Sequence, residues 1–480
     1  MTPKKLILFS LAMHLVYALF STGFHHWDEH FQILEFLNYK LELSPSSDLP
    51  WEFTEGMRPF IQPFFYYLLV KPSLLLGGIF TPHLWAFVFR LWAAILGFYS
   101  LFVLYKKRNT LIEKSYTAKI LLPLLLFSTW YLPYIHARHS AEGLGGSLFM
   151  IGLASFLSKK ESRWEALEVG LLFGLSFLMR FHLGFMILFL YLWSLFFDGL
   201  KWKRFWLHSL VIVLTISLGV LVDRWGYGEW TFSPWNYVVQ NLFEGKVSNF
   251  GVNPWYDYFK YIFRKSFPPL GILTLISFFW LWIKKPKHLL TWISLPFFLV
   301  HLLIGHKELR FLFPLVAIIP FVWVLFIEEY KRYWGPWWKN GFKIVWIFNL
   351  LYLLTMAFKP AHISHDYFKA VRGLEIPKLH IYGDTNPYFL AKLKVNYFGV
   401  VHPKIKMLSD DSDPALILLK NETSWFFSNR GKFFHKLKQF EQCQLVFSNY
   451  PEWLLMFGGR PMKWQTNSKA WTLVKCQIKF

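Results

Sequence analysis

The sequence predicts a polytopic α-helical membrane protein that ends in a small α/β domain. Three observations carry this. Of 480 residues, 55% are hydrophobic and 21% aromatic, while only 17% are charged; that balance suits membrane spans rather than a soluble globule. Apolar runs recur along the first three quarters of the chain, separated by short basic clusters. After Lys359 the composition shifts, and short strand-like runs replace the long apolar ones.

Apolar runs with the length or character of spans lie near 6–22, 84–104, 117–133, 143–158, 166–180, 184–198, 206–222, 268–283, 289–304, 311–328 and 343–358. Basic clusters between them include Lys4-Lys5, Lys106-Lys107-Arg108, Lys159-Lys160, Lys201-Trp202-Lys203-Arg204, Lys284-Lys285 and Lys331-Arg332. Placing every cluster on the cytoplasmic side satisfies the positive-inside rule with eleven crossings. Phe60 to Leu76 is then not a simple crossing, and about 11–13 transmembrane helices are expected, several of them short or broken. The start, Met1 to Phe20, is read as a retained first span rather than a cleaved signal, because no small-residue cleavage site follows it.

This topology gives a membrane domain over 1–358. Its first outer loop is 23–59 and its second large outer loop 223–267; a soluble extracytoplasmic domain covers 359–480. In the tail, Leu379-His380-Ile381-Tyr382, Ala415-Leu416-Ile417-Leu418-Leu419 and Gln444-Leu445-Val446-Phe447 read as strands. Cys443 and Cys476 are both there, either paired in an oxidising compartment or present as two buried thiols. Asn421-Glu422-Thr423 matches a glycosylation acceptor pattern, a match frequent by chance.

The net charge is +22. Its basic residues sit between apolar runs, so the excess reads as topology plus an anionic lipid partner, and no nucleic acid is expected. No P-loop, Gly-rich dinucleotide fingerprint or zinc-type spacing occurs. The sequence requires no cofactor and leaves a divalent metal open.

Four outer segments carry ionisable groups beside hydrocarbon, where such groups are costly and so mark function. Asp28 and Glu29 follow the first span, and Gln32, Glu52 and Arg58 continue that loop. Adjacent carboxylates can divide labour, one removing a proton and the other orienting a hydroxyl; a solvated helix end is the bland alternative. His306-Lys307-Glu308-Leu309-Arg310 places two fixed positive charges, an imidazole and a carboxylate in five positions. Arginine suits bidentate phosphate contacts and lysine acts as a point charge; snorkelling span ends are the alternative. Arg180 in an apolar stretch and Arg224 beside Asp223 could join a phosphate site, and Trp255 could stack on a sugar. Arg138, His139 and Glu142 are weaker candidates.

Taken in order, these segments resemble the dolichyl-phosphate-mannose-dependent mannosyltransferases of glycosyltransferase family 22, which include GPI-anchor mannosyltransferases and belong to the GT-C superfamily. The matching parts run from about Gly23 to Pro320. They are Asp28-Glu29-His30-Phe31-Gln32-Ile33-Leu34-Glu35, Trp51-Glu52 with Arg58, Gly174-Leu175 with Arg180, Asp223-Arg224-Trp225-Gly226-Tyr227-Gly228, Asn253-Pro254-Trp255-Tyr256, and His306-Lys307-Glu308-Leu309-Arg310-Phe311-Leu312-Phe313-Pro314. Trp27 and Pro59 depart from the family's usual residues.

The resemblance implies a GT-C-type membrane glycosyltransferase that moves mannose from a polyprenyl-phosphate donor to a hydroxyl of a lipid-linked glycan or glycolipid, with inversion. Asp28 would be the general base and Glu29 its partner. His306, Lys307 and Arg310, with Arg224 and Arg180, would hold the donor phosphate. Gln32, Glu52, Arg58, Asp223, Trp255 and Glu308 would line the acceptor or sugar. Membrane lipids are further partners, and a monomer is expected. A bacterial inner membrane with a periplasmic site is favoured, or an ER membrane with a lumenal one. Two other readings remain open at this stage: transfer of aminoarabinose or another hexose, and a lipid-linked sugar flippase.

Overall fold

A computed structural model of the protein describes residues 2–159, 162–333, 335, 337–409, 412–418, 423–456 and 470–477. By contacts the chain forms two compact units: Met1–Ser21, Pro50–Gly78 and Ala86–Lys359 make the first, and Thr22–Leu49, Ile79–Trp85 and Pro360–Phe480 the second. The division at Lys359 falls where the composition shifts. The segment holding Asp28 groups with the tail, although the sequence reading drew it with the membrane domain.

The first unit is helical. Five helices among the described residues are long and apolar enough to cross a membrane: Pro3–Phe20, Pro82–Lys106, Trp202–Tyr227, Leu309–Tyr333 and Trp338–Ala357. Tyr116–Ser128, Ala141–Phe156, Leu183–Asp198, Pro268–Lys284 and Leu289–Leu303 are shorter apolar helices. Ile61–Leu75, which the parity argument left out as a crossing, is a 15-residue helix with Pro72 inside it. Leu210, Val213, Leu214, Leu218 and Leu221 on Trp202–Tyr227 are each more than half exposed. An apolar face of that size, on a helix that satisfies its own backbone, belongs in lipid.

Three helices position the charged groups described below: α1 (Ala141–Phe156), α2 (Arg163–Met179) and α3 (Trp202–Tyr227). They meet through small residues, as membrane helices do where backbones must approach closely. Ser176 of α2 donates its hydroxyl to the Gly145 carbonyl of α1 at 2.8 Å. Gly146 of α1 lies so near the next segment that a Cβ there would stand 2.7 Å from the Pro314 Cα. That segment, Leu309–Ile318, is a 3-10 helix of 10 residues; such long runs are uncommon and often mark function.

The second unit carries a five-stranded sheet. Its strands are β1 (Lys378–Tyr382), β4 (Lys404–Leu408), β5 (Thr423–Ser428), β6 (Cys443–Ser448) and β7 (Thr472–Gln477), with a small hairpin of β2 (Phe389–Leu390) and β3 (Leu393–Lys394). The order is β4-β1-β5-β7-β6; β1 runs parallel to β4 and β5, and β7 runs antiparallel to β5 and β6. The expected strands at 379–382 and 444–447 are present. The expected strand at 415–419 is a correction: Pro414–Leu418 is helical. Pro414 at a helix start has its missing N–H where none is needed, which favours the helix over a strand. Cys443 and Cys476 face each other across β6 and β7 and form a disulfide. Residues 421 and 422 of the glycosylation pattern lie outside the described residues.

Candidate active site

In the first unit, a cationic network forms where α1 starts and α2 ends. Ser140 caps α1 by accepting from the Gly143 N–H at 3.1 Å, which places Glu142 in the first turn. The contact at Gly146 and Pro314 sits four residues beyond Glu142 on one side and four beyond Arg310 on the other. It brings the two together: Arg310 Nη1 donates to Glu142 Oε1 at 3.0 Å. The Ser176–Gly145 bond does the same for Arg180, four residues on, whose Nη2 donates to the same oxygen at 2.6 Å. Glu142, Arg310 and Arg180 are 1%, 5% and 8% exposed. So deep a carboxylate is tolerable only because two guanidiniums meet it.

Glu308 extends the network, accepting from Arg310 Nε through Oε2 and from His306 Nε2 at 2.9 Å through Oε1. That bond to Glu308 raises the His306 pKa above its usual value, outweighing its partial burial. The His182 ring stands edge-on to His301 with centroids 4.8 Å apart. Arg58 lies 3.6 Å from Glu52 and over the Tyr237 ring.

The other expected residues have more local work. Lys307 is 4% exposed, and its Nζ donates to the carbonyls of Ile304 at 2.7 Å and Asn253 at 3.4 Å. Burial lowers its pKa. Asn253 Oδ1 accepts from the Lys307 N–H at 3.1 Å, which joins two of the family-like segments. Asp223, 1% exposed, accepts from the Phe60 N–H at 2.8 Å and from the Ser233 hydroxyl, so it ties two segments to the end of α3. Arg224 is exposed and lies over Trp230 at 4.4 Å. Trp255 is 63% exposed and packs on Tyr256 and Phe259. The structure therefore gathers Arg180, Arg310, Glu308 and His306 around Glu142, and gives Arg58, Arg224 and Trp255 separate surroundings. The sequence reading underweighted Glu142. Its only local signal is the capping pattern of a serine ahead of an acidic first turn.

In the second unit, Asp28 and Glu29 stand at the start of one helix. Trp27–Glu29 and Glu35–Lys40 are α-helical, and His30–Leu34 between them is a π-turn. His26 caps the start: its Nδ1 accepts from the Asp28 N–H at 3.2 Å. With that cap made, the 3.3 Å approach of Nδ1 to the Asp28 carboxylate is not a charge pair. Glu29 is 1% exposed, whereas the Asp28 side chain is 17% exposed. Of the two carboxylates, Asp28 is the one open to a hydroxyl. Gln32 is buried within the π-turn.

Residues 5–378 match the Alg9-like mannosyltransferase family. The chain belongs to that family. Similar members include mannosyltransferase APTG1 of Arabidopsis thaliana, 25% identical over 66% of this chain and 57% of that protein. GPI alpha-1,2-mannosyltransferase 3 of Bos taurus is 26% identical over 84% of this chain and 72% of that protein. GPI mannosyltransferase 3 of Debaryomyces hansenii is 25% identical over 99% of this chain and 92% of its own length. The chain thus spans less than two thirds of the Arabidopsis member and more of the other two. Among solved structures, ArnT from Cupriavidus metallidurans bound to undecaprenyl phosphate aligns with a TM-score of 0.49 and 12% identity, over 99% of this chain and 98% of that one. The cationic network lies wholly within the matched residues.

Proposed function

We propose that the protein is a GT-C-type mannosyltransferase, taking mannose from a polyprenyl-phosphate donor and adding it to a hydroxyl of a lipid-linked glycan or glycolipid at the outer face of its membrane. The observation that carries this reading is the meeting of two buried guanidiniums, Arg180 and Arg310, on one oxygen of Glu142. Two buried guanidiniums side by side suit an anion that arrives from the bilayer, and phosphate takes the bidentate contacts that arginine offers. Membership of a mannosyltransferase family supports mannose as the sugar. An outer-face site is supported by the basic clusters between spans and by the Cys443–Cys476 disulfide, a bond typical of oxidising compartments.

In the reaction, Asp28 takes the proton of the acceptor hydroxyl. The hydroxyl oxygen forms a bond to the anomeric carbon as the bond from that carbon to the phosphate oxygen breaks, and the configuration inverts. The lipid phosphate leaves with the electron pair. Arg310 and Arg180 stabilise its charge by exchanging carboxylate contacts for phosphate ones. Removing one such preorganised donor typically costs about 3 kcal/mol of transition-state stabilisation. No residue of this scheme needs a cofactor.

The test is transfer by purified protein with polyprenyl-phosphate mannose, aminoarabinose and glucose in parallel. Transfer of mannose above the other two is expected. Turnover of another sugar alone, or movement of the lipid donor between leaflets without transfer, would overturn the reading.

A further inference from the structure

Glu35 follows the proposed base by seven residues, and its carboxylate is 2% exposed as a residue. One oxygen, Oε1, accepts three hydrogen bonds: from His30 Nε2 at 2.9 Å, from the Asn396 N–H at 2.8 Å and from the Tyr397 N–H at 2.9 Å. The first partner lies within its own helix. The other two are backbone groups 361 and 362 residues away, all within the second unit.

The His30 bond depends on the π-turn. In a regular α-helix, residues five apart point about 140° from each other, so those side chains would not meet. Here the Glu35 N–H bonds the His30 carbonyl, the i to i−5 pattern of a π-turn, and that brings the two side chains onto one side. Backbone and side chain of Glu35 thus close the same turn. One inserted residue also rotates everything before it by about 100° around the helix axis. Which of Asp28 and Glu29 is open and which is buried is set by that rotation.

The surroundings reinforce the clamp. The His30 ring stacks on Phe398 at 5.7 Å and meets Tyr397 edge-on at 6.1 Å. Asp48, at the far end of the same loop, accepts from Lys394 Nζ at 2.9 Å and Asn396 Nδ2 at 3.1 Å. At the near end, the Thr22 carbonyl accepts from the Ala361 N–H at 2.7 Å, and a Cβ on Gly23 would stand 2.3 Å from the His362 oxygen. Asn396 and Tyr397 lie beyond residue 378, where the family match stops.

We propose that Glu35 is a positioning residue for Asp28: it holds the π-turn closed and ties it to the Asn396–Tyr397 backbone, so that the chain beyond the family match sets the angle at which Asp28 meets the acceptor hydroxyl. This rests on the mannosyl-transfer reading with Asp28 as base.

Full-length wild-type, Glu35→Ala, Glu35→Gln, Asp28→Asn and the two double variants are assayed in detergent or vesicles with polyprenyl-phosphate mannose. A misplacement of about 1 Å can cost on the order of 10²-fold in rate. Glu35→Ala is expected to lower kcat by about that factor with donor KM unchanged. Glu35→Gln, which keeps one accepting oxygen, is expected to retain more of the rate. Adding either substitution to Asp28→Asn is expected to cost nothing further, because Glu35 acts through Asp28. Should Glu35→Ala fail to fold, Glu35→Gln and its double variant decide. Wild-type kcat in both Glu35 variants, a loss seen only in donor KM, or losses that multiply with Asp28→Asn would each overturn the inference. Absence of mannosyl transfer by the wild type would instead overturn the reading beneath it.

Discussion

The cationic network of the first unit and the Asp28 helix of the second are built in opposite ways. The network draws on distant segments, with Glu142, Arg180 and Arg310 coming from three parts of the chain, and its two arginines are met by carboxylates that an incoming phosphate could replace. The Asp28 helix is one continuous segment, and its key bonds end on backbone N–H groups that no substrate replaces. On the proposed reaction, the difference teaches that donor binding and proton removal ask for different things. An anion clamp must release its resting partners when the donor arrives. A base must keep its angle through every turnover.

The sharpest way to break this contrast is at Asp28. Asp28→Asn keeps the size and removes the proton acceptor, so a loss of about 10³-fold in transfer rate is expected, within the 10²–10⁴-fold typical of general-base catalysis. Retention of wild-type transfer rates would remove Asp28 from the mechanism. Next in size is Arg310→Ala. It strips a buried donor from the phosphate and leaves Glu142 and Glu308 short of a partner, so kcat/KM should fall about 10²-fold, as read from initial rates against donor concentration. Glu142→Gln tests the exchange itself. The amide keeps the shape but holds the guanidiniums less firmly, and about a tenfold change in donor KM is expected, with acceptor KM unmoved.

The smallest expected effect is a pH dependence at His306. Its bond to Glu308 raises the folded pKa above 6.5, so the charged pair is fully present below that unfolded value and is lost as pH rises through the raised one. Donor KM should therefore rise a few-fold across that window, the modest size reflecting a partly exposed pair. His306→Gln should flatten that limb of the profile; an unchanged profile would remove the imidazole from donor binding.

Much of this was legible in the sequence, for physical reasons. The charge cluster at 306–310 stands out because ionisable groups beside hydrocarbon are costly, and the structure does gather His306, Glu308 and Arg310 into one network. Asp28 was legible as a carboxylate just past a span. Arg224 stands apart from the network because consecutive helix residues point about 100° apart: Asp223 turns inward to take Phe60 and Ser233, so Arg224 faces out over Trp230. Glu142 was undervalued because its partners depend on a close helix approach at Gly146 and Pro314, which no local pattern announces. Glu35 sits in a family-like run, but hydrophobic periodicity does not report a π-turn or a tail that reaches back across the chain. The helix at Pro414–Leu418 escaped notice because a short apolar run fits strand and helix alike.

The division of labour between the clamp and the base is the central claim, and equilibrium binding tests it most directly. Affinity for a polyprenyl phosphate, which carries the anion without the sugar, would be measured by titration against wild-type, Arg310→Ala and Asp28→Asn proteins in the same detergent. Weaker binding in Arg310→Ala and wild-type binding in Asp28→Asn is the predicted result. Equal weakening in both, or full affinity in Arg310→Ala, would contradict it.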